Sequence, residues 1–360
     1  MLIQKYKIYA ATLALLLFFA SLPVLSFAAL SEKQTFRILN SLLTDNYEVS
    51  FEAEEVLIAF SEGGPPNINR YKIGRLLPSK RRRDTYRLDG TVEEIMVRDE
   101  DLQIVSYPDK KMVVRSRLSR DNKTKEISTE LVSLVGQNYH IRSTGKEMVS
   151  GRSAVAIEIS PKVKGTRPSF KAWIDHETGL PLKTETYTIE GALSFLSTLS
   201  GVVINPSFPQ DYFVIMVPHG TKAYEQPLAD SADAKGTDGK EKLNVPGALK
   251  GGYFLKKTGL DERGNVQSIY HDGLNSISVF SEDWSDDLSG HMEKKAKDSQ
   301  ATLKKVKKGG FEGFFCSRDR DNILSFISGS HRYILVGEVS RKSILDMAID
   351  LKAELVKHEN

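Results

Sequence analysis

Cysteine is almost missing from this sequence: Cys316 is the only one in 360 residues. One thiol closes no internal disulfide, so the folded chain must be held together by apolar cores. Phe314 and Phe315 precede Cys316 and no histidine adjoins it, which reads as a buried, inert thiol. An excess of one charge sign is missing too. Fifty basic residues stand against 47 acidic ones, a formal net charge of +3, and such a balance gives no mandate for a nucleic-acid partner. The signatures of familiar catalysts are also lacking: there is no phosphate-binding glycine loop, no G-x-S-x-G elbow and no H-E-x-x-H. The seven histidines are scattered, so no cofactor, no metal and no catalytic residue is assigned, and the chain is not expected to be an enzyme.

What is present begins with a leader. Lys5 and Lys7 precede the apolar run "IYAATLALLLFFASLPVLSFAAL", in which Pro23 breaks the helix ahead of Ser26-Phe27-Ala28. That pattern predicts an export signal over residues 1–28, with a retained membrane anchor as the alternative because the run is nearly long enough to span a bilayer. Beyond it, Phe36, Leu39, Leu42 and Leu43 recur at helical spacing behind Ser31, a residue able to cap a helix. From Tyr47 onward the period falls to two, in segments punctuated by Gly63-Gly64-Pro65-Pro66, Asp89-Gly90 and Ser150-Gly151. The fold class is therefore α+β: a large curved antiparallel sheet with covering helices over residues 29–218, then a smaller α+β unit over 248–360. The stretch "GALSFLSTLSGVVINPSF" is either a short helix or an apolar strand. Residues 219–247 are poor in large apolar side chains and read as a flexible linker, most mobile between Asp230 and Lys242. In the last segment Ile344, Leu345, Ala348, Leu351 and Leu355 make one apolar helical face, with Ser340 or Ser343 as its cap.

Three places invite a functional reading. Asp175, His176 and Glu177 stand side by side in "FKAWIDHETGLPLKTETY", between two segments of period two. Consecutive side chains at a turn diverge, so they cannot converge on one metal ion, and a solvated hairpin tip is expected, with Gly179 at positive φ. Lys80, Arg81, Arg82 and Arg83 form a cationic block that suits an anionic partner, or else a solvated loop tip. In "YEVSFEAEEVLIAF" the apolar parity changes between Phe51 and the set Val56, Ile58 and Phe60. Either a bulge re-aims the strand, or both faces meet apolar neighbours. Those four residues with Trp173 are the candidate lining of an apolar ligand pocket; an ordinary filled core is the alternative.

Several segments together carry a resemblance. "AWIDHETGLPLKTETY", "TYRLDGTVEEIMVRDEDLQIVSYPD" and "YHIRSTGKEMVSGRSAVAIEISP" resemble, in that family's order, the N-terminal domain of the MucB/RseB regulators, which is akin to the lipoprotein carriers LolA and LolB. "IYHDGLNSISVFSED" and "YILVGEVSRKSILDMAIDL" resemble its C-terminal domain. The resemblance implies a LolA-like half-barrel followed by a smaller domain, a periplasmic location, and a negative regulator of an envelope-stress sigma factor. Such a protein binds the periplasmic segment of a membrane anti-sigma factor and shields it from proteolysis. Lipopolysaccharide or lipoprotein acyl chains are the implied ligands of the N-terminal domain, and no catalytic residue is implied. A LolA-type lipid or lipoprotein carrier or sensor with an appended domain is the alternative. Whether the chain forms homo-oligomers is left open by the sequence.

Overall fold

A computed structural model describes residues 33, 38–39, 42–43, 48–61, 63–117, 129–217, 219–226, 245–260, 265–284, 303–318 and 320–359. The expected export signal and the segment 230–242 lie outside the described residues. Among the described residues no helix is long and apolar enough to cross a membrane.

The chain between Phe51 and Gln226 builds one sheet of twelve strands. Its strands are β1 (Phe51–Ala59), β2 (Asn67–Leu76), β3 (Lys80–Tyr86), β4 (Val92–Asp99), β5 (Leu102–Tyr107), β6 (Met112–Arg117), β7 (Tyr139–Val149), β8 (Arg152–Pro161), β9 (Ser169–Asp175), β10 (Pro181–Tyr187), β11 (Leu193–Ile204) and β12 (Lys222–Gln226). They lie in the order β12-β6-β5-β4-β3-β2-β1-β11-β10-β9-β8-β7. The sheet is open rather than a closed barrel, because β12 and β7 are its two edges. It also curls: Ser150, in the β7–β8 turn, donates its hydroxyl to the carbonyl of Leu199 in β11, three strands away.

β11 resolves the choice between helix and strand for the Leu193–Ile204 stretch. It is rich in Ser, Thr and Val, and it pairs with β1 on one side and β10 on the other. The register between β1 and β2 is unbroken, while the irregularity facing β1 falls on β11 between Ser200 and Val203, around Gly201. Phe51 and Ala53 therefore lie on one face, and Val56 and Ile58 on the other, without a bulge in β1. β12 departs from the expected linker. Lys222–Gln226 runs parallel to β6 as an edge strand, so the sheet is mixed rather than wholly antiparallel.

Helix α1 (Thr129–Asn138) lies between β6 and β7. Its Val135 joins Ile38 and Leu39 from the N-terminal helical residues, and Tyr139, Ile157, Ile159, Ala172 and Ile174 from the sheet, in one buried cluster. Leu42 packs against that cluster, as the helical spacing predicts.

The chain between Ala248 and Gly337 forms a separate sheet of eight strands. These are β13 (Ala248–Leu249), β14 (Tyr253–Leu260), β15 (Val266–His271), β16 (Ser276–Asp283), β17 (Lys304–Lys308), β18 (Phe311–Arg318), β19 (Asp321–Ser328) and β20 (His331–Gly337), in the order β13-β14-β15-β16-β20-β19-β18-β17. Helix α2 (Arg341–Glu359) covers it. Ile344, Met347, Ala348, Leu351 and Leu355 are buried against Leu324, Phe326, Tyr333 and Leu335 of the sheet; Leu345, expected on the same stripe, is only half-buried. Ser340 caps the helix, its hydroxyl accepting from the Ser343 N–H at 3.1 Å.

Candidate functional site

The two sheets meet at a buried polar junction. The loop between β8 and β9 sends Arg167 into the second sheet, where Nη1 lies 2.7 Å from Asp272 Oδ2 and Nη2 donates to the Gly251 carbonyl at 2.6 Å. The guanidinium also lies over the rings of Tyr139 and Tyr253, at 5.6 and 5.1 Å. Asp272 is satisfied on both oxygens: Oδ2 also accepts from Tyr139 Oη at 2.9 Å, and Oδ1 accepts the N–H groups of Leu274 and Asn275 at 2.9 and 2.7 Å. Burial, with the Asp272 carboxylate beside it, raises the Tyr139 phenol far above its ordinary range and keeps it a neutral donor.

Backbone contacts complete the junction. Asn138, the last residue of α1, donates its side-chain amide to the carbonyls of Gly252 and Asp272 at 3.0 and 2.8 Å. The Ser340 N–H, at the start of α2, donates to the Thr166 carbonyl at 3.1 Å. Gly273 approaches α1 so closely that a Cβ there would stand 2.6 Å from a methyl carbon of Val135. These contacts fix the second sheet against the first although the chain between Gln226 and Val245 is long. No local pattern marks the junction, because an Arg in a loop and an Asp before a glycine are ordinary residues until the fold joins them.

The Asp175-His176-Glu177 run is not a solvated tip throughout. Asp175 closes β9 and is 2% exposed. Its Oδ2 accepts Arg152 Nε and Nη2 at 3.0 and 2.8 Å, and the Thr178 hydroxyl donates to the same oxygen. Burial alone would raise this carboxyl; the Thr178 and Arg152 hydrogen bonds and the Arg152 charge outweigh it and hold the group below its usual range. The turn brings this about: Asp175 N–H donates to the Leu180 carbonyl and Gly179 N–H to the Asp175 carbonyl, folding Asp175 inward while His176 stays exposed. Gly179 has φ +76°, as expected of the turn. Glu177 is exposed and shares Arg152 at 3.0 Å. The three side chains diverge, and the described residues hold no cluster able to bind a metal.

Lys80, Arg81, Arg82 and Arg83 lie in the body of β3, not at a loop tip, and so alternate between its two faces. The block is engaged within the protein. Lys80 is 3.9 Å from Asp99, Arg83 is 3.5 Å from Glu94 and lies over the Tyr71 ring, and Arg81 makes interactions of its own. Arg82 pairs with Asp84 at 2.8 Å and donates to the Tyr212 carbonyl at 2.7 Å. Thus Arg82 ties down a strap, residues 205–217, that crosses β1, β2 and β3. Tyr212 Oη donates to Glu52 at 3.0 Å, and Glu52 pairs with Lys72 at 2.9 Å. The Tyr212 ring fills the space over Gly74, where a Cβ would stand 2.6 Å from ring carbon Cε1. Phe208 and Phe213 pack on Tyr212 with ring centres 4.6 and 4.9 Å away.

Of the five residues expected to line an apolar pocket, Phe51 and Trp173 share a packed cluster with Ala53, Ala154, Ala156, Leu180, Leu182 and Leu199. Trp173 is anchored by its indole N–H to Glu147 at 2.9 Å and covered by the Lys183 ammonium, 4.2 Å from the ring centre. Val56 instead lines a groove of about 260 Å³ with Glu54, Arg70, Lys72 and Tyr86, a polar surface. Ile58 is half-buried and Phe60 exposed. A second groove, of about 350 Å³, is apolar; Trp284, Phe314 and Ile327 line it on the second sheet, with Arg332 and Glu312 beside them.

Residues 74–202 match the family model of the MucB/RseB N-terminal domain. No curated protein matches the chain in sequence. Among solved structures, the complex of Pseudomonas aeruginosa MucA and MucB aligns over 87% of this chain and 96% of the matched chain, with a TM-score of 0.52 and 17% identity. A structure of MucB in complex with MucA(peri) aligns over 86% and 96%, with a TM-score of 0.50 and 18% identity. At such identity the likeness speaks of fold, and it runs through both sheets. The first sheet therefore carries a match to the MucB/RseB N-terminal domain, and the chain shares the fold of MucB along most of its length.

Proposed function

We propose that the chain binds the periplasmic segment of a membrane-bound anti-sigma factor, shields it from proteolysis and so restrains an envelope-stress sigma factor. The carrying observation is the match of residues 74–202 to the MucB/RseB N-terminal domain, joined to a fold shared over 87% of the chain with MucB, a protein captured with MucA. The junction at Arg167 and Asp272 supports the reading physically. It joins two sheets into one body, so a partner segment can meet surfaces of both without the ordering cost of bringing them together. Binding rather than catalysis is the activity, and the periplasm is the place of action. Lipid or lipoprotein relieves the complex, in this reading, by preferring the unbound form: a ligand with differential affinity shifts the equilibrium reciprocally. A carrier in the manner of LolA is the weaker reading, because a carrier needs an open apolar cavity and Phe51 and Trp173 are packed against neighbours. The test is co-elution in gel filtration of the chain with the soluble periplasmic segment of the anti-sigma factor from the same organism. A stable complex supports the proposal; separate elution at concentrations well above micromolar counts against it.

A further inference from the structure

The strap that Tyr212 pins to the sheet ends in an apolar run that nothing described covers. Val214 is 54%, Met216 78% and Val217 40% exposed, and Ile215 between them is half-buried. Scattered apolar residues on a surface are ordinary; three exposed ones within four positions of one segment are not. We infer that residues 214–217 form an interfacial finger that inserts into the surface of a lipid bilayer.

Three observations point to a bilayer rather than to a protein groove. The backbone at 214–217 is neither helix nor strand, so consecutive side chains point in different directions. A groove wall or an added strand covers one side of such a segment, whereas the apolar margin of a bilayer receives all sides at once. The base of the finger is rigid: Tyr212 is held by Glu52, Arg82 and the space over Gly74, and Phe208 and Phe213 pack on it, so the tip is presented at little ordering cost. Aromatic residues behind an aliphatic tip match the composition of interfacial membrane anchors. Asp211 on one side and Lys222 on the other are charged, which limits entry to the shallow interfacial layer. This inference goes beyond the anti-sigma reading and does not depend on it, since vesicles alone test it.

A tryptophan at the tip reports its surroundings locally, so the apolar N-terminal run cannot imitate the signal. In the full chain carrying Met216→Trp, the emission of the added tryptophan, taken as the difference from the parent chain, is followed on addition of phosphatidylethanolamine–phosphatidylglycerol vesicles. Insertion predicts a blue shift, together with quenching when the lipids carry bromine on their acyl chains. The triple variant Val214→Ser, Met216→Ser, Val217→Ser, exposed throughout and so neutral for folding, should sediment with vesicles at least tenfold less. An unshifted, unquenched tip overturns the inference even if the chain binds vesicles by another route. So does a tip that shifts only with the soluble anti-sigma segment, which would make the finger a protein contact.

Discussion

Arg167 and Asp272 form an ion pair across the two sheets, Nη1 to Oδ2 at 2.7 Å, with side chains 8% and 0% exposed. Truncating one partner leaves the other charge buried and unpaired, which costs about 3–5 kcal/mol. Arg167→Ala should therefore lower stability by about that amount and split one denaturation transition into two as the sheets uncouple. Adding Asp272→Asn, which removes the orphaned charge but keeps an acceptor for Leu274 and Asn275, should recover part of the loss. Urea unfolding followed by fluorescence checks both.

His271 precedes Asp272, and its Nδ1 accepts the Gly273 N–H at 2.7 Å. Burial, then the nearby Lys256 charge, lowers its pKa, with Asp272 opposing. A histidine depressed in the folded state takes up its proton more readily when unfolded, so the folded chain loses stability as pH falls below the unfolded value of about 6.5. Thermal unfolding between neutral pH and pH 5 should show that decline. His271→Gln, which keeps an acceptor without titrating, should flatten it.

Asp175 predicts the opposite assignment of roles to the three residues of its run. Asp175→Ser should cost about 1–3 kcal/mol by stripping Arg152 of its buried partner, while His176→Ser and Glu177→Ser should each stay within about 0.5 kcal/mol. Because the folded carboxyl is depressed, its contribution is present above the unfolded value of about 3.9 and fades as pH falls below it. The stability gap between the parent chain and Asp175→Asn should accordingly be full at pH 5 and narrow toward pH 3. Gly179→Val, at φ +76°, should cost about 1–3 kcal/mol through backbone strain.

The strap offers a test of packing. Gly74→Ala would drive its Cβ against the Tyr212 ring, a clash of the kind that typically costs about 1–3 kcal/mol. The strap should lift locally while the sheets stay folded. Limited proteolysis should then cut between 205 and 217 in the variant and spare the parent chain, with near-ultraviolet dichroism otherwise unchanged.

How much of this was legible beforehand follows from what each feature depends on. The α2 stripe and the period-two strands are local patterns, so Ile344, Ala348, Leu351 and Leu355 were found by spacing alone. Asp175 was misplaced because burial at a turn depends on Arg152, 23 residues earlier, and no period connects them. The cationic block had the composition of a surface patch, yet lying in a strand it divided between two faces and found Asp84, Glu94 and Asp99. β12 looked like linker because an edge strand of Lys-Ala-Tyr-Glu-Gln has one apolar aromatic and two charges. Arg167 had no signal at all: its partner lies 105 residues away in the other sheet.

The central claim is that the chain holds an anti-sigma segment with both sheets acting as one body. It is tested most directly by calorimetric titration of the soluble periplasmic segment of the anti-sigma factor into the parent chain and into Arg167→Ala. Saturable binding by the parent chain, weakened at least tenfold by the substitution while each sheet remains folded, is the predicted result. No heat of binding with the parent chain, or equal affinity for both proteins, would contradict it.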